Sequence, residues 1–420
     1  MGASLSEVFC IEVDDSRAAL ADLARFRRKL FAGPLQVAAI TGSSGKTTVK
    51  EMASLICEHA LQNAWSAQDP LLKTQGNFNN LIGLPLSLLP LNAGHQVAIM
   101  EMGMNALGEI AALTDIADPD VGCINTVHPA HLEGLGSIEN VAKAKGELFE
   151  RMRPEARRIV NFDDTRIYAL GKRFDGNLIG FAATKAGRKR KATVQVTRLT
   201  NLGENGIRFT LNIGTWKRRI TVPVMGEYNA GNCASAAALT YALGIQPDLI
   251  AEGLERYRPV NKRMCVQKLP GGASLVNDVY NANPASMAAG LRTIAAIDKA
   301  NRRFAALGDM LELGESSAEK HHEIGKLVAE LGYTYLAVSG QFAAAVVQGA
   351  RAGGMADKSV QIFATPQDIA PWCCSLFAQG ALDAGDWIFV KGSRGMRMEG
   401  FIEALEKGLA SIAKGESHAL

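Results

Sequence analysis

The sequence predicts an α/β protein with two sheet-containing domains, and three observations support this prediction. Short apolar runs of strand length alternate with longer amphipathic stretches, as expected of parallel sheets built from βαβ units. Glycine is frequent, with 42 residues, whereas aromatic residues make up only 6%, a combination typical of folds with many tight turns. The length of 420 residues is enough for two or three domains, each with its own core.

The predicted elements begin with a leader over residues 1–34, in which 16–31 has the pattern of one amphipathic helix. A central domain over 35–258 follows, and it opens with strand, glycine loop and helix at 35–59. Helical stretches separate the next apolar runs, which predict further strands of a parallel sheet. These runs are 97–100, 121–127 and 157–162.

The pattern changes between residues 192 and 226, where apolar and polar residues alternate around glycine-containing turns. This predicts two hairpins that form an antiparallel patch against the parallel sheet, followed by a helix at 230–243. The proline and charges of 256–263 indicate a linker. Beyond it, we expect a C-terminal, Rossmann-like α/β domain over 259–420. Its predicted strands are 274–280, 303–310, 335–340, 360–365 and 386–393.

The composition excludes several classes of protein. With 47% hydrophobic and 21% charged residues, the chain resembles globular proteins rather than disordered or fibrous ones. Its 45 basic and 42 acidic residues leave a net charge of +3, which gives no reason to expect nucleic acid as a partner. The most apolar window, 81–100, is interrupted by Pro85 and Pro90, so we expect no membrane span.

The cysteines and the N-terminus indicate the cellular compartment. Seven cysteines are scattered without a C-x-x-C pair, so we expect reduced thiols rather than disulfides or a zinc site. The first fifteen residues lack the basic region and apolar core of a secretory signal. We therefore expect a soluble, cytoplasmic protein, and we expect it to be a monomer.

A glycine-rich loop between the first strand and helix is the strongest local signal. It runs Thr41, Gly42, Ser43, Ser44, Gly45, Lys46, Thr47, Thr48. Its glycines let backbone N–H groups approach a phosphate, Lys46 reaches the terminal phosphates and the Thr47 hydroxyl suits Mg²⁺. The common P-loop spelling has one more glycine where this chain has Ile40. The alternative is a tight turn with an incidental lysine, but GKTT at a strand–helix junction favours a phosphate loop.

The shortened loop and the motifs that follow it resemble those of the Mur ligases, the ATP-dependent amide ligases of peptidoglycan synthesis. The central motifs are TQGNFNNLIGLP at 74–85, EMGM at 101–104, NTVHPAHLE at 125–133 and AKGE at 144–147. The C-terminal motifs are NDVYNANP at 277–284, GDMLELG at 308–314 and KGSR at 391–394. They occur in the family's order from about residue 12 to 410.

The resemblance implies a reaction in which ATP phosphorylates a substrate carboxylate and an amine then attacks the acyl phosphate. Thr47 and Glu101 match ligands of the Mg²⁺ that bridges the phosphates, and His131 matches a ligand or neighbour of a second Mg²⁺. Lys145 matches the lysine that the family carbamylates. A carbamate is an anionic oxygen ligand, whereas an ammonium would repel Mg²⁺, and burial beside cations would supply the neutral amine that the modification needs.

The resemblance also implies residues that hold the nucleotide and the other substrates. Asn229 and Asn232 match the family's two asparagines on the adenine side of the nucleotide. Tyr228 stands where the family usually has histidine. Arg263 and Asp278 match residues that reach the phosphate and the ribose. The Mur ligase motifs add candidate substrate residues, with the last two expected to hold the dipeptide carboxylate. These are Asn79, Asn80, Tyr280, Asn281, Asn283, Ser393 and Arg394.

The motifs imply that the substrates are a muramoyl peptide, whose UDP-linked tripeptide carboxylate is the acceptor, and the dipeptide D-alanyl-D-alanine, with ATP and Mg²⁺ as cofactors. Family members carry a domain before the glycine loop that grips the UDP-sugar, and residues 1–34 resemble only its trailing helix and linker. Either the start of the chain is missing, or the protein takes its acceptor by other means. We therefore expect weak UDP binding. The alternative function is a related amide ligase with another acceptor, such as a free peptide or a cell-wall fragment that lacks UDP. A third hypothesis is that the protein binds ATP without catalysis and serves as a scaffold for other cell-wall enzymes.

Overall fold

The computed structural model describes residues 11–31, 33, 35–62, 70–174, 176–259, 262–297 and 302–413. Its fifteen described strands are β1 (Gln36–Thr41), β2 (Leu71–Lys73), β3 (Val97–Glu101), β4 (Val121–Ile124), β5 (Arg157–Asn161), β6 (Leu178–Ala182), β7 (Val194–Asn201), β8 (Ile207–Ile213), β9 (Trp216–Val222), β10 (Cys265–Lys268), β11 (Ser274–Asp278), β12 (Arg303–Gly308), β13 (Tyr335–Ser339), β14 (Val360–Phe363) and β15 (Trp387–Lys391).

Helices connect most of these strands. The described helices are α1 (Ser16–Leu30), α2 (Lys46–Gln62), α3 (Gly83–Leu88), α4 (Glu109–Ala117), α5 (Leu132–Leu135), α6 (Ile138–Arg151), α7 (Thr165–Gly171), α8 (Lys185–Arg188), α9 (Asn229–Ala242), α10 (Pro247–Arg256), α11 (Pro284–Ala295), α12 (Ser317–Glu330), α13 (Ala343–Ala352), α14 (Ile369–Ala378) and α15 (Glu399–Ala413). Within the described ranges, no helix is both long and apolar enough to cross a bilayer.

The strands form two sheets, which confirms the predicted α/β class. In the described part of the chain, the first sheet has the order β2-β3-β1-β4-β5-β6-β7-β8-β9 and the second has the order β10-β11-β15-β12-β13-β14. The predicted hairpins are present as β7–β8 and β8–β9. They extend the first sheet rather than lie against it, because β7 pairs in parallel with β6.

Two strands of the first sheet fix the position of the glycine loop. β1 lies between β3 and β4, with Ile40 opposite Glu101 and Thr41 opposite Ile124. All three strands are parallel, so the segments that leave them meet at one edge of the sheet. In open α/β sheets this carboxyl edge is where ligands bind.

Both faces of the first sheet are covered by helices, and this explains why its central strands are continuously apolar. Ala38 and Ile40 of β1 point into one cluster, which α2, α9 and α10 close. Val37 and Ala39 point into the opposite cluster, which is closed by α1, α3, α4 and α6. The second sheet is likewise packed on both faces, by α11–α13 on one side and by α14 and α15 on the other.

Several boundaries differ from those that the sequence predicts. The strand expected at 121–127 ends at Ile124, which releases Asn125 and Thr126 to contact the glycine loop. Three strands were not predicted, namely β2, β6 and β10. β2 and β10 are only three and four residues long, so their side chains give little periodic signal.

Some predictions fall wholly or partly outside the described residues. These concern residues 1–10, where a secretory signal was not expected, and residues 260–261 of the linker. The last strand of the first sheet ends at Val222, and the first strand of the second sheet begins at Cys265. We propose the domain boundary at 258–259, within this interval.

The arginine-rich run 188–191 has structural contacts in the folded chain. Arg188 donates to the backbone carbonyl of Val196. Arg190 donates to the carbonyl of Phe162 and lies over the ring of Tyr168. These contacts tie the turn to the first sheet.

Glycines allow α12 and α13 to pack unusually closely, and this generates a first prediction. A methyl group at Gly325 would overlap the carbonyl oxygen of Val346. We therefore expect Gly325→Ala to destabilise the protein by about 1–3 kcal/mol, measured as a lower melting temperature. Gly231→Ala is the matched control, because a methyl group there meets no atom within 4 Å. Alanine should raise stability in that helix. Unchanged melting of Gly325→Ala would contradict the packing argument.

Candidate functional site

A cavity of about 820 Å³ lies between the carboxyl edge of the first sheet and the second domain. The glycine loop forms one wall, and the segment from Tyr280 to Asn283 forms part of the opposite wall. Most of the residues predicted from the motifs line it. They are Ser43, Ser44, Gly45, Lys46, Thr47, Thr48, Asn79, Asn80, Glu101, His131, Asn229, Asn232, Arg263, Asp278, Tyr280, Asn281, Asn283, Ser393 and Arg394.

The glycine loop is held from behind by the residues that follow β4. Ser43 donates its backbone N–H to the carbonyl of Thr126 at 2.8 Å, and the Asn125 amide donates to the carbonyl of Ser44 at 2.9 Å. Gly45 has a φ of +80°, and a side chain there would overlap the amides of Asn125 and Asn232. Only glycine fits this approach without strain.

Lys46, the first residue of α2, extends back over the loop. Its Nζ donates to the carbonyl of Gly42 at 2.8 Å, and within the described residues no carboxylate lies at ion-pair distance from it. Burial lowers the pKa of Lys46, although the charges of Glu101 and Glu312 partly oppose this shift. The loop therefore holds a partly buried cation whose charge is only partly balanced by the protein.

Thr47 connects the two domains through one hydroxyl group. It donates to Glu101 Oε2 at 2.8 Å and accepts from Arg263 Nη2 at 2.9 Å. Asn79 donates to the other oxygen of Glu101, also at 2.8 Å. The Arg263 guanidinium lies 3.8 Å from the centre of the Tyr280 ring, and its buried Nε has no hydrogen-bond partner among the described atoms.

Lys145 lies on the buried face of α6 behind the cavity rather than on its wall. Its side chain is 1% exposed, and no acceptor for its ammonium exists among the residues that the structure describes. Burial holds the pKa of Lys145 well below its usual value, and the charge of Lys46 lowers it further. An amine in this environment is readily neutral.

His131 reaches across the domain interface. Its backbone is left-handed, with φ +56°, and its Nδ1 lies 2.7 Å from Glu312 Oε2 in the second domain. The contact with His131 is the main reason that the pKa of Glu312 is lowered. A second interdomain contact joins the Asn283 amide to the Ser44 hydroxyl at 3.2 Å.

The adenine-side asparagines form a hydrogen-bonded ladder behind the loop. Asn229 donates to the carbonyl of Met225, Asn232 donates to Asn229 Oδ1, and Asn125 donates to Asn232 Oδ1. Tyr228 lines the cavity beside this ladder. Because Asn125 also donates to the carbonyl of Ser44, this ladder connects α9 to the glycine loop.

Several candidate substrate residues have internal partners. Asn80 Oδ1 accepts from the backbone at the start of α3, and Lys391 forms a buried ion pair with Asp278. The Ser393 hydroxyl accepts from Leu311 N–H and donates to the carbonyl of Ala282, so it joins two motif loops. Arg394 forms an ion pair with Glu399 at 2.6 Å and is 59% exposed.

Sequence reasoning did not select three residues that the fold brings to the cavity. Glu312 belongs to the GDMLELG motif, so attention to its acidic residue would have found it. Arg17 and Glu109 lie in no quoted motif. Only helix packing places them at the cavity.

A glycine loop at a sheet edge, capped by a second α/β domain that adds an arginine, defines a nucleotide-dependent two-domain enzyme of the P-loop type. Residues 40–240 match a family model described as the Mur ligase middle domain, and residues 262–394 match one described as the Mur ligase glutamate ligase domain. The chain belongs to the Mur ligase family, which confirms the resemblance, and it is a ligase.

Individual relatives cover nearly the whole chain. The UDP-N-acetylmuramoyl-tripeptide–D-alanyl-D-alanine ligase of Haemophilus influenzae is 32% identical over 94% of this chain and 81% of its own length. The Escherichia coli ligase of the same name is 33% identical over 94% and 82%. The crystal structure of MurF from Acinetobacter baumannii superposes with a TM-score of 0.83 and 31% identity, over 94% of this chain and 82% of that one.

Two lysines of α2, the partly buried Lys46 and the buried Lys50, give a second prediction. Lys46→Ala should abolish binding of an ATP analogue without lowering the melting temperature, because the variant loses a cation whose burial is unfavourable. Lys50→Met is the control, since Lys50 Nζ donates to the carbonyl of Thr74 at 2.7 Å and does not line the cavity. It should melt earlier yet keep nucleotide binding, both measured by calorimetry. Retained nucleotide binding by Lys46→Ala would contradict the assignment.

Proposed function

We propose that the chain is an ATP-dependent ligase that joins D-alanyl-D-alanine to the peptide carboxylate of a UDP-N-acetylmuramoyl-tripeptide in peptidoglycan synthesis. The names of its relatives support the substrates, and the KGSR and YNANP motifs agree with them. ATP and UDP-linked precursors are cytoplasmic metabolites, which supports a cytoplasmic location. One chain supplies both walls of the cavity, which is compatible with a monomer.

The observation that carries the proposal is a group of three basic side chains, one buried and two partly buried, that form no ion pair with the described residues where the two domains meet. Lys46 and Arg263 line the cavity, and Lys145 lies behind it beside Lys46. Thr47 lies between the loop and Arg263, and among the described residues Glu101 is the only carboxylate that contacts it. A ligase of this kind must bring together two anions, the acceptor carboxylate and the γ-phosphate. Cations that the protein itself leaves unbalanced would offset the repulsion between them.

The residues present fit ATP. Gly45 lets the loop pass close to Asn125 and Asn232 with a left-handed backbone, and the buried Nε of Arg263 has no protein partner among the described atoms. Phosphate oxygens would supply acceptors for it and for Lys46. Asp278 and the loop asparagines would hold the nucleoside side. A related MurF from Thermotoga maritima, solved in complex with ADP, superposes with a TM-score of 0.80 at 27% identity, over 96% of this chain and 86% of that one.

Mg²⁺ also fits, provided that phosphate completes its coordination. No group of three or more His, Cys, Asp or Glu side chains that could hold a metal occurs in the described parts of the chain. Glu101 and the Thr47 hydroxyl, 2.8 Å apart, offer one carboxylate and one neutral oxygen. Mg²⁺ characteristically binds one or two protein carboxylates together with substrate phosphates. Bound there, it would neutralise phosphate charge.

Lys145 would become an anion by carbamylation. Its amine attacks CO₂, a new N–C bond forms, and one proton leaves, so that the buried cation is replaced by a carboxylate-like group. The low pKa of Lys145 favours the neutral amine that this step needs. The carbamate would lie beside Lys46 and turn a repulsive pair into an attractive one.

The reaction then proceeds in two substitutions. An acceptor carboxylate oxygen attacks the γ-phosphorus, the bond to ADP breaks and an acyl phosphate forms. The dipeptide amine attacks the acyl carbon, phosphate leaves, and the amine loses a proton as the amide forms. Lys46 and Arg263 hold the charged groups in contact. Arg394, which is largely exposed, would bind the dipeptide carboxylate, while Ser393 keeps the two motif loops together.

Release of inorganic phosphate tests the proposal directly. The assay combines ATP and Mg²⁺ with UDP-N-acetylmuramoyl-tripeptide and D-alanyl-D-alanine, each omitted in turn. We expect phosphate release and a pentapeptide product only when all are present. Equal release with a UDP-free peptide as acceptor would favour the alternative of a non-UDP acceptor, which no feature of the described residues supports. ATP binding without turnover on any acceptor would indicate the scaffold.

Two lysines on α6 provide a third prediction. Lys145→Ala should lose at least 100-fold in kcat, because the anionic oxygen is missing, and a short carboxylate such as acetate should restore part of the rate. Lys143→Ala is the matched control, since Lys143 lies two residues away on the exposed face and should leave the rate unchanged. Normal turnover of Lys145→Ala would remove the carbamate from the mechanism.

A further inference from the structure

Arg17, in the first turn of α1, lines the cavity although it lies outside both matched family segments. The same end of the cavity includes Asn105 and Glu109, at and before the start of α4. The reacting groups, in contrast, lie where the glycine loop meets the second domain.

The packing of α1 on α4 explains how Arg17 reaches this position. Arg25 Nε donates to the carbonyl of Asp115, and Arg28 Nε donates to the carbonyl of Ala117. The residue numbers of donor and acceptor increase together from the first contact to the second, so α1 and α4 run in parallel. Arg17 precedes Arg25 by eight residues, which is about 12 Å along a helix. It therefore lies beside the N-terminal end of α4, where Glu109 begins the helix.

The cap of α1 fixes the backbone of its first turn, from which the exposed side chain of Arg17 projects. Asp15 Oδ1 accepts from the backbone N–H groups of Arg17 at 2.8 Å and of Ala18 at 3.1 Å. The Asp15 carboxylate thus caps the helix N-terminus. Within the described residues, no carboxylate forms an ion pair with the Arg17 guanidinium and no acceptor takes a hydrogen bond from it.

Other charges at this end already have partners. Glu147 accepts from the N–H groups of Gly108 at 2.8 Å and Ala111 at 3.0 Å, so the N-terminus of α4 already binds a carboxylate. Glu109 Oε2 accepts from Asn105 N–H at 2.7 Å. Arg17, whose side chain forms no ion pair or hydrogen bond with the described residues, is therefore the cation that a ligand anion at this end would contact.

We propose that Arg17 binds an oxyanion of the acceptor that is remote from the reacting carboxylate, and so determines acceptor affinity. This inference rests on the proposed function. The proposed acceptor offers three such anions: the diphosphate, the free carboxylate of its glutamyl residue, and a side-chain carboxylate when the third residue is diaminopimelate. All three are oxyanions that a guanidinium binds through charge-assisted hydrogen bonds.

The test compares Arg17→Gln with Lys29→Gln in the full chain. Lys29 is an exposed cation on the same helix that does not line the cavity. Arg17→Gln should raise the acceptor KM about tenfold, the effect of one charged hydrogen bond. Its kcat, its KM for ATP and for D-alanyl-D-alanine, and its melting temperature should stay unchanged. Arg17→Lys should recover part of the affinity, and Lys29→Gln should behave as wild type.

Three altered acceptors identify the anion, with Kd measured by calorimetry so that turnover is not required. One lacks UDP, one has lysine in place of diaminopimelate, and one carries an amidated glutamyl carboxyl group. The acceptor that lacks the relevant anion should bind wild type and Arg17→Gln equally, whereas the other two should still distinguish them.

Three results would overturn the inference: an unchanged acceptor KM in Arg17→Gln, an equal loss in Lys29→Gln, or a difference that persists with all three altered acceptors. Failure of the proposed function is a separate outcome. In that case wild type itself would neither bind nor use any muramoyl acceptor.

Discussion

The repulsion between Lys46 and Lys145 is the interaction on which the rest of the site depends. Lys145 is buried and Lys46 is partly buried. Burial lowers the pKa of both amines, and the charge of Lys46 lowers the pKa of Lys145 further. Neither amine forms an ion pair with the described residues. A folded protein tolerates such charges only when they are neutralised by protonation changes or by a ligand. In the proposed reaction, substrate phosphates and a substrate carboxylate balance the cations of the cavity, and reaction with CO₂ turns the Lys145 amine into an anionic carbamate.

The fold places these cations by simple means. Parallel pairing of β1 with β3 and β4 brings the glycine loop, Glu101 and Asn125 to one sheet edge. The second domain then adds Arg263 through Thr47 and Glu312 through His131. These contacts use the same atoms that phosphate and metal would contact. In the proposed function, ligand binding exchanges these interdomain contacts for contacts with substrate, so we expect nucleotide occupancy to affect how the two domains associate.

The sequence predicts well what contiguous residues encode. The glycine loop, the two hairpins and most strands follow from local pattern, because each is specified within about ten residues. Contacts between distant segments do not follow from it. The pairing of His131 with Glu312, and the position of Arg17 beside α4, require the packing of elements that no local pattern specifies. Ser393 shows the converse, since its motif suggests a ligand contact while its hydroxyl joins two loops. Its part in substrate binding stays a prediction.

The central claim is that Lys145 is a neutral amine that becomes an anion, and ¹³C NMR with labelled bicarbonate tests it most directly. In the wild-type protein, the account predicts a carbamate carbonyl signal that persists in Lys143→Ala and is absent from Lys145→Ala. Adding Mg²⁺ and an ATP analogue should strengthen the signal, because the carbamate would then face cations. A wild-type protein that ligates its substrates under the same conditions without any carbamate signal would contradict the account.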